Sequence, residues 1–162
     1  MSRAQVSDFD CMVEELQRLV IENARAHYSP QVIEEWYHPQ NIGRMSEPDA
    51  SAAVRGWCGD TMEIYLKVDN GMIVEVTFMT DGCGPSVACG SMVTSMARGL
   101  PLDEAQQISP DDLLEALGRL PEESVHCAQL ATSTLHEAIV GYRNEEGGRD
   151  TVIVERESPL VH

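Results

Sequence analysis

Five cysteines in a chain of 162 residues are the side chains with the most specific chemistry. The chain does not start with the basic and then apolar stretch of a secretory signal, so we expect reduced thiols and not disulfides. Thiolates are soft ligands that favour zinc and iron–sulfur clusters over magnesium and calcium. The odd number of cysteines therefore indicates metal or sulfur chemistry.

Two of the cysteines stand at nearly equal distances on either side of a predicted turn. Cys58 lies 12 residues before Asn70 and Cys83 lies 13 residues after it. Residues 62–68 alternate between apolar and polar, and residues 72–79 are rich in β-branched side chains, which predicts a β-hairpin. Antiparallel pairing would bring both cysteines to the open end of this hairpin, in loops whose glycines allow close approach to a bound group.

A third cysteine, Cys127, is predicted in the first turn of the last helix, next to His126. Cys83 directly precedes a helix that a Gly-Pro pair opens. The exposed amides and the dipole at a helix start favour a thiolate, so Cys83 and Cys127 should be reactive sulfurs. Asp60 lies close to Cys58 in sequence. It can be a ligand or can cap a turn, and His126 can be a ligand or can bond backbone or solvent.

The elements that must position these residues follow from the apolar periodicity and the turn residues. Helices are predicted over 8–26, 30–37, 85–97, 103–108, 110–118 and 125–142. Residues 50–57 are a weaker candidate for a third strand, because their side chains are small. Residues 144–150 are typical of a flexible hinge, and residues 151–154 fit either a short strand or a loosely held terminus.

Composition excludes several classes of partner. Acidic residues outnumber basic ones 27 to 11, giving a net charge of −16, so the surface repels nucleic acid and anionic lipid. No segment approaches the ~20 apolar residues of a membrane span. We therefore expect a cytoplasmic protein with one main domain, no nucleic-acid partner and no membrane association.

The order and spacing of four segments resemble the NifU/IscU-type iron–sulfur cluster assembly scaffolds. These segments lie between Tyr28 and Tyr142 and read YSPQVIEEWYHPQNIG, WCGD, FMTDGCGPSVA and LPEESVHCAQLA. The resemblance implies a SufE/NifU-like α+β fold, with a three-stranded antiparallel sheet packed against several helices. We expect an extra N-terminal helical extension over 1–27, a scaffold domain over 28–143 and a flexible tail over 144–162.

The resemblance also implies a function and a ligand set. A member of this family is not an enzyme: it accepts sulfur from a cysteine desulfurase, binds iron, builds a labile [2Fe-2S] cluster and passes the cluster to acceptor or carrier proteins. The resemblance assigns the ligand role to Cys58, Cys83 and Cys127. It also matches Asp60 to an aspartate that modulates cluster lability, and His126 to an alternative ligand. Cys127 and Cys83 are the candidate persulfide acceptors, and the family favours Cys127.

The chain departs from the family pattern at two places. The chaperone-recognition sequence LPPVK of the family is replaced by LPEES at 120–124, which argues against docking of an Hsp70-type chaperone. Cys89 stands where the family has a small residue such as serine, and we expect it in the core. Cys11, on the N-terminal helix, is expected to be an incidental thiol.

Three alternative functions share the same cysteines. The first is a zinc-bound sulfur acceptor of the same fold, which typically carries an insertion that the 43 residues between Cys83 and Cys127 do not provide. The second is a structural zinc module. The third is a thiol enzyme with His126 or His136 as base, which we disfavour because adjacent helical residues point about 100° apart.

Overall fold

Three antiparallel strands form the predicted sheet, and a fourth strand extends it. The computed structural model describes residues 8–56, 59–145 and 151–155. The consecutive strands are β1 (Ala50–Arg55), β2 (Thr61–Asp69) and β3 (Met72–Thr80). Strand β4 (Thr151–Glu155) pairs in parallel with β1, which gives the order β3-β2-β1-β4. The predicted α+β fold is confirmed, and of the two alternatives for 151–154 the structure has the strand.

The predicted β-hairpin consists of β2 and β3. Met62 pairs with Thr80 near its open end, and Asp69 pairs with Met72 at its turn. The turn residue Asn70 has a positive φ of 52°, as the Asp-Asn-Gly sequence indicated. The register shifts at Lys67, the kind of irregularity that a β-bulge introduces. The alternate residues of β2 that face the helices are fully buried: Met62, Ile64 and Leu66.

Six helices lie within a few residues of their predicted positions. They are α1 (Asp8–His27), α2 (Pro30–Tyr37), α3 (Gly84–Ala97), α4 (Leu102–Gln106), α5 (Pro110–Ala116) and α6 (Val125–Glu145), with a 3-10 turn at Glu122–Ser124 before α6. Ser29 caps α2 by accepting a hydrogen bond from the Val32 amide at 3.1 Å, as its Ser-Pro sequence indicated. The hinge expected at 144–150 lies mostly outside the described residues, because α6 continues to Glu145.

The core lies between the sheet and two helices that pack on it, α3 and α6. Helix α6 packs on β1 and β2, while α3 packs on β3 and on the side of α6. Gly90 of α3 lies against the Phe78 ring, and a Cβ at this position would come within 2.4 Å of the ring. Helix α2 in turn covers α3. This packing brings the start of α3 beside the start of α6.

Helix α1 is amphipathic, as predicted, and it contacts α2. Ala24 is buried, but several large apolar side chains of α1 are at least half exposed. These are Phe9, Met12, Leu16, Leu19 and Val20. No helix in the described part of the chain combines the length and apolar character needed to cross a membrane.

Candidate functional site

The open end of the hairpin is tied together by hydrogen bonds between its two strands. Asp81 accepts a hydrogen bond from the Thr61 amide at 2.7 Å. The Thr80 hydroxyl donates to the Thr61 carbonyl at 2.9 Å and accepts from the Gly82 amide at 3.1 Å. The residues just beyond the strands, Asp60 on one side and Gly82 on the other, are therefore held next to each other.

Two backbone hydrogen bonds near the start of β2 fix the position of Asp60. The Gly56 amide donates to the Asp60 carbonyl at 2.8 Å, and the Gly59 amide donates to the Gly56 carbonyl at 3.0 Å. Gly59 has a φ of 92°, in the region that favours glycine. Cys58 belongs to the segment between β1 and β2 in sequence but lies outside the described residues. Its predicted meeting with Cys83 stays a prediction.

Cys83 occupies the N-cap position of α3 and its side chain is exposed. The next residue, Gly84, lies under the indole ring of Trp36 from α2. A Cβ on Gly84 would come within 2.0 Å of this ring, so glycine is needed for the two helices to approach here. The predicted position of Cys83 at a helix start is confirmed. Trp36 was not singled out from the sequence, and only the packing of α2 on α3 reveals its contact with this backbone.

Cys127 is the third residue of α6 and is buried. Its sulfur lies 3.4 Å from the hydroxyl oxygen of Ser86, a fully buried residue in the first turn of α3. The same hydroxyl lies 3.3 Å from Oδ2 of Asp60. The structure therefore brings Asp60 and Cys127 together through Ser86, less than one helical turn from Cys83.

Ser86 was missed in the sequence analysis. The signal that could have found it is its spacing of three residues from Cys83, which places both on neighbouring positions of one helix face. Gly82 shows how closely this region packs. A Cβ at Gly82 would come within 2.6 Å of the Ser86 hydroxyl and 2.9 Å of Asp60 Oδ2.

His126 lies beside Cys127 in space as well as in sequence. Its Nε2 atom is 3.7 Å from Cys127 Sγ, and the ring is half-buried. The expectation that these adjacent residues point too far apart to interact is therefore wrong. The imidazole is long enough to turn back toward the sulfur despite the divergence of the two Cβ atoms. His136 is engaged elsewhere, since its Nε2 lies 2.9 Å from the Ile108 carbonyl oxygen.

Cys89 lies in the core, as predicted. Burial raises the pKa of its thiol well above the ordinary value, and the neighbouring sulfurs of Cys127 and Cys83 raise this pKa further. A buried thiol with a raised pKa is a poor candidate for a ligand in the unloaded protein. Cys11, on α1, is exposed.

The donors of this region are a mixture of soft and hard groups. The two described sulfurs, Cys83 and Cys127, are accompanied by the Asp60 carboxylate and the His126 imidazole, a set suited to iron or zinc. Within residues 8–56, 59–145 and 151–155, no three acidic, histidine or cysteine side chains are grouped closely enough to hold a metal ion. Because Cys58 is outside those ranges, the full ligand set stays a prediction.

This chain is similar in sequence to proteins of known family. The sequence model of the NifU-like N terminal domain matches residues 27–148. The iron-sulfur cluster assembly scaffold protein IscU 1 of Archaeoglobus fulgidus is 39% identical over 126 residues, which cover 77% of this chain and 82% of that protein. The scaffold protein IscU of Escherichia coli K12 is 37% identical over 123 residues, or 73% of this chain and 95% of that protein.

The fold has solved counterparts as well. The N-terminal part of a nitrogen-fixing NifU-like protein from Brucella abortus superimposes with a TM-score of 0.59 and 21% identity, over 72% of this chain and 94% of that one. This similarity supports the fold alone, whereas the sequence matches extend over about three quarters of the chain. The chain therefore belongs to the NifU-like N-terminal domain family, whose relatives named above are iron–sulfur cluster assembly scaffolds, and the resemblance seen in its motifs is confirmed.

Proposed function

We propose that this chain accepts sulfur from a cysteine desulfurase, combines it with iron into a labile [2Fe-2S] cluster, and passes the cluster to acceptor or carrier proteins. As a member of a family of assembly scaffolds, it is not an enzyme, in agreement with the sequence analysis. The observation that carries the proposal is the contact of Ser86 with both Asp60 and Cys127. It joins a carboxylate to a sulfur that is 67 residues away in sequence.

The proposed ligands are Cys58, Cys83 and Cys127, with Asp60 or His126 completing the set. The cluster is the cargo of this site and not a resident cofactor. Three thiolates with one oxygen or nitrogen ligand hold a cluster less firmly than four thiolates would. A donor set with one weak member thus suits a protein that must release what it builds, and the Asp60–Ser86–Cys127 contacts support this arrangement.

Sulfur transfer requires a thiolate that can reach a persulfide on the desulfurase. The thiolate attacks the outer sulfur of that persulfide, a new S–S bond forms on the scaffold cysteine, and the desulfurase cysteine leaves as a thiolate. A thiol reductant, such as the excess cysteine of the reaction, then supplies the two electrons with which the outer sulfur enters the cluster as sulfide. Cys83 is exposed, whereas Cys127 is buried and needs a local opening before it can react. The family resemblance favours Cys127 as the acceptor, and the exposure of Cys83 supports its candidacy.

We also propose a cellular location, a domain organisation and a limit on partners. We place the protein in the cytoplasm, with a scaffold domain over 28–143 between the extension over 1–27 and the tail over 144–162. The LPEES segment forms the 3-10 turn that leads into α6 and carries two acidic residues. The central proline and the lysine of the family sequence are absent, and Glu122 and Glu123 are gained, so docking of an Hsp70-type chaperone is not part of the proposal.

The test is anaerobic reconstitution of the purified chain with iron, cysteine and a cysteine desulfurase, followed by visible absorption and analysis of iron, sulfide and zinc. We expect a sulfide-containing chromophore that is lost in the serine variants of Cys58, Cys83 and Cys127. A parallel reaction with inorganic sulfide separates failure to recognise the desulfurase from failure to hold the cluster. A chromophore retained in all three variants would contradict the ligand set.

Two further cysteines provide matched controls for these variants. Cys11→Ser removes an exposed thiol from α1, and Cys89→Ser removes a buried thiol beside the site. Both should still assemble cluster, because neither thiol is a proposed ligand. Complete loss of assembly in Cys89→Ser, with the fold intact, would make Cys89 a ligand. Tight zinc binding without sulfide uptake by the wild type would favour the zinc-bound sulfur acceptor instead.

A further inference from the structure

Ser86 makes contacts that differ from those of three buried threonine hydroxyls in this protein. Thr94, Thr132 and Thr134 donate to carbonyl oxygens four residues earlier in their own helices, at 2.7, 3.0 and 2.7 Å. This local bond is the ordinary way to satisfy a hydroxyl in a helix. The hydrogen bonds found for Ser86 instead leave the helix and reach Asp60 and Cys127.

We propose that Ser86 is a positioning residue that holds Asp60 against Cys127 and thereby shortens the time for which the assembled cluster stays on the scaffold. This inference rests on the proposed function, since it concerns the same site. It adds a positioning residue from the first turn of α3 to the proposed ligand set. Ser86 acts through Asp60 and is not itself a ligand.

The direction of the effect follows from the single proton of the hydroxyl group. A serine hydroxyl can fully donate to one acceptor at a time, and a carboxylate is a stronger acceptor than sulfur. The proton is therefore directed to Asp60, while the contact with Cys127 fixes where the hydroxyl sits. A carboxylate oxygen that already accepts a hydrogen bond has less electron density to offer iron. Asp60 then remains a weak and easily displaced ligand.

Burial and close packing restrict the hydrogen bonds that the Ser86 hydroxyl can make. The residue has no exposed surface, and a buried hydroxyl without a partner is costly. Gly82 lies so close that even one added carbon would overlap both the hydroxyl and Asp60 Oδ2. Among the described residues, the hydrogen-bond partners found for Ser86 are the Asp60 carboxylate and the Cys127 sulfur.

The experiment compares the wild type with Ser86→Ala in the full chain. Cluster is assembled anaerobically with iron and inorganic sulfide, and its lifetime is measured as the loss of visible absorbance to an excess of iron chelator. We expect a lifetime about fivefold longer in Ser86→Ala, which is the effect of one ordinary hydrogen bond. Ser86→Thr keeps the hydroxyl and should restore a lifetime near that of the wild type.

A double-mutant cycle with Asp60→Ala separates positioning from a general structural effect. If Ser86 acts through Asp60, adding Ser86→Ala to Asp60→Ala should not lengthen the cluster lifetime further. Ser91→Ala is the matched control, because it removes another fully buried hydroxyl of α3, which accepts from the Gln40 amide and donates to the Glu35 carboxylate outside the site. It should lower thermal stability while leaving the cluster lifetime unchanged.

The outcomes distinguish this inference from the proposed function. A wild-type chain that builds no sulfide-containing chromophore would overturn the proposed function and this inference with it. A wild type that assembles cluster, with an unchanged or shorter lifetime in Ser86→Ala, would overturn the inference alone. So would an equal lengthening by Ser86→Ala in the presence and the absence of Asp60.

Discussion

The two described sulfurs of the site differ in exposure, and this difference determines what each can do. Cys83 is exposed at the start of α3, while Cys127 is buried under Ser86 near the start of α6. An exposed thiol can meet a macromolecular donor directly, whereas a buried one is shielded from oxidants and competing thiols. The site thus combines one accessible and one protected cysteine within the same packed region.

Asp60 is the residue whose removal gives the most direct test of lability. In Asp60→Ala we expect the cluster to persist roughly tenfold longer. This factor corresponds to about 1.5 kcal/mol, the size of one hydrogen bond to a charged group. The reason is that the weakest ligand is gone and the His126 imidazole, beside Cys127, can take its position. The measurement is the decay of visible absorbance during transfer to an acceptor protein or a chelator.

The conservative variant Asp60→Asn is the control for that prediction. It keeps the size of the side chain and an oxygen that can accept from Ser86, but removes the charge. We expect an intermediate lifetime. A cluster that decays as fast as, or faster than, that of the wild type in Asp60→Ala would show that Asp60 does not promote release.

At the scale of elements, the position of Cys83 depends on how closely α2 and α3 approach. Trp36 lies over Gly84 and also packs edge-on against Tyr28, with ring centroids 5.9 Å apart. The aromatic pair therefore covers the backbone directly after Cys83. Helix α3 is fixed at a second point, where Gly90 lies against the Phe78 ring of β3.

Gly84→Ala should disturb the site, because the new methyl group would overlap the Trp36 indole and push α2 away from Cys83. We expect a loss of about 1–3 kcal/mol in the free energy of unfolding, typical of overpacking. We also expect faster alkylation of Cys83 and a lower yield of cluster. The measurements are denaturant unfolding and the rate of thiol modification at Cys83, located by mass spectrometry.

The matched control is Gly90→Ala in the same helix, which creates a similar overlap with Phe78 away from Cys83. It should destabilise the fold by a comparable amount without changing the alkylation rate of Cys83. Equal changes in that rate in both variants would mean that general destabilisation, and not the contact with Trp36, controls the environment of Cys83.

At the scale of the whole molecule, apolar side chains from the sheet and from helices packed on it form the core. Apolar residues of the sheet, α3 and α6 are fully buried, and they include Phe78, Val93, Ala131 and Leu135. Only Cys89 and Cys127 among the described cysteines belong to this core. A fold that depends on metal lacks such a core and unfolds when the metal is removed.

We therefore expect metal removal to leave the fold intact. After treatment with a chelator, the far-ultraviolet circular dichroism spectrum should change little, and the protein should still unfold cooperatively on heating. The free energy of unfolding should fall only by what linkage to a bound ion contributes, about 2.7 kcal/mol at a ligand concentration of 100 times the Kd, and the thermal midpoint should fall accordingly. A chelated protein without a cooperative transition would instead identify a structural zinc module.

The amino-acid sequence by itself determined most of the helices and strands, and the end of the hairpin at which the candidate site lies. Alternation in β2, the Asp-Asn-Gly turn and the helix caps act over a few residues, so local pattern was sufficient to predict them. The starts of α3 and α6, and with them the positions of Cys83 and Cys127, followed from the same local signals. The motifs were also sufficient to identify the family.

Only the tertiary structure decided which side chains meet. The bridge from Asp60 through Ser86 to Cys127 depends on how α3 packs between the hairpin and α6, which no periodicity encodes. The turn of His126 toward Cys127 was likewise hidden, because sequence fixes the direction of Cβ but not the rotamer that packing selects. Local patterns specify elements, whereas the contacts between elements far apart in sequence arise from the fit of whole surfaces in the packed core.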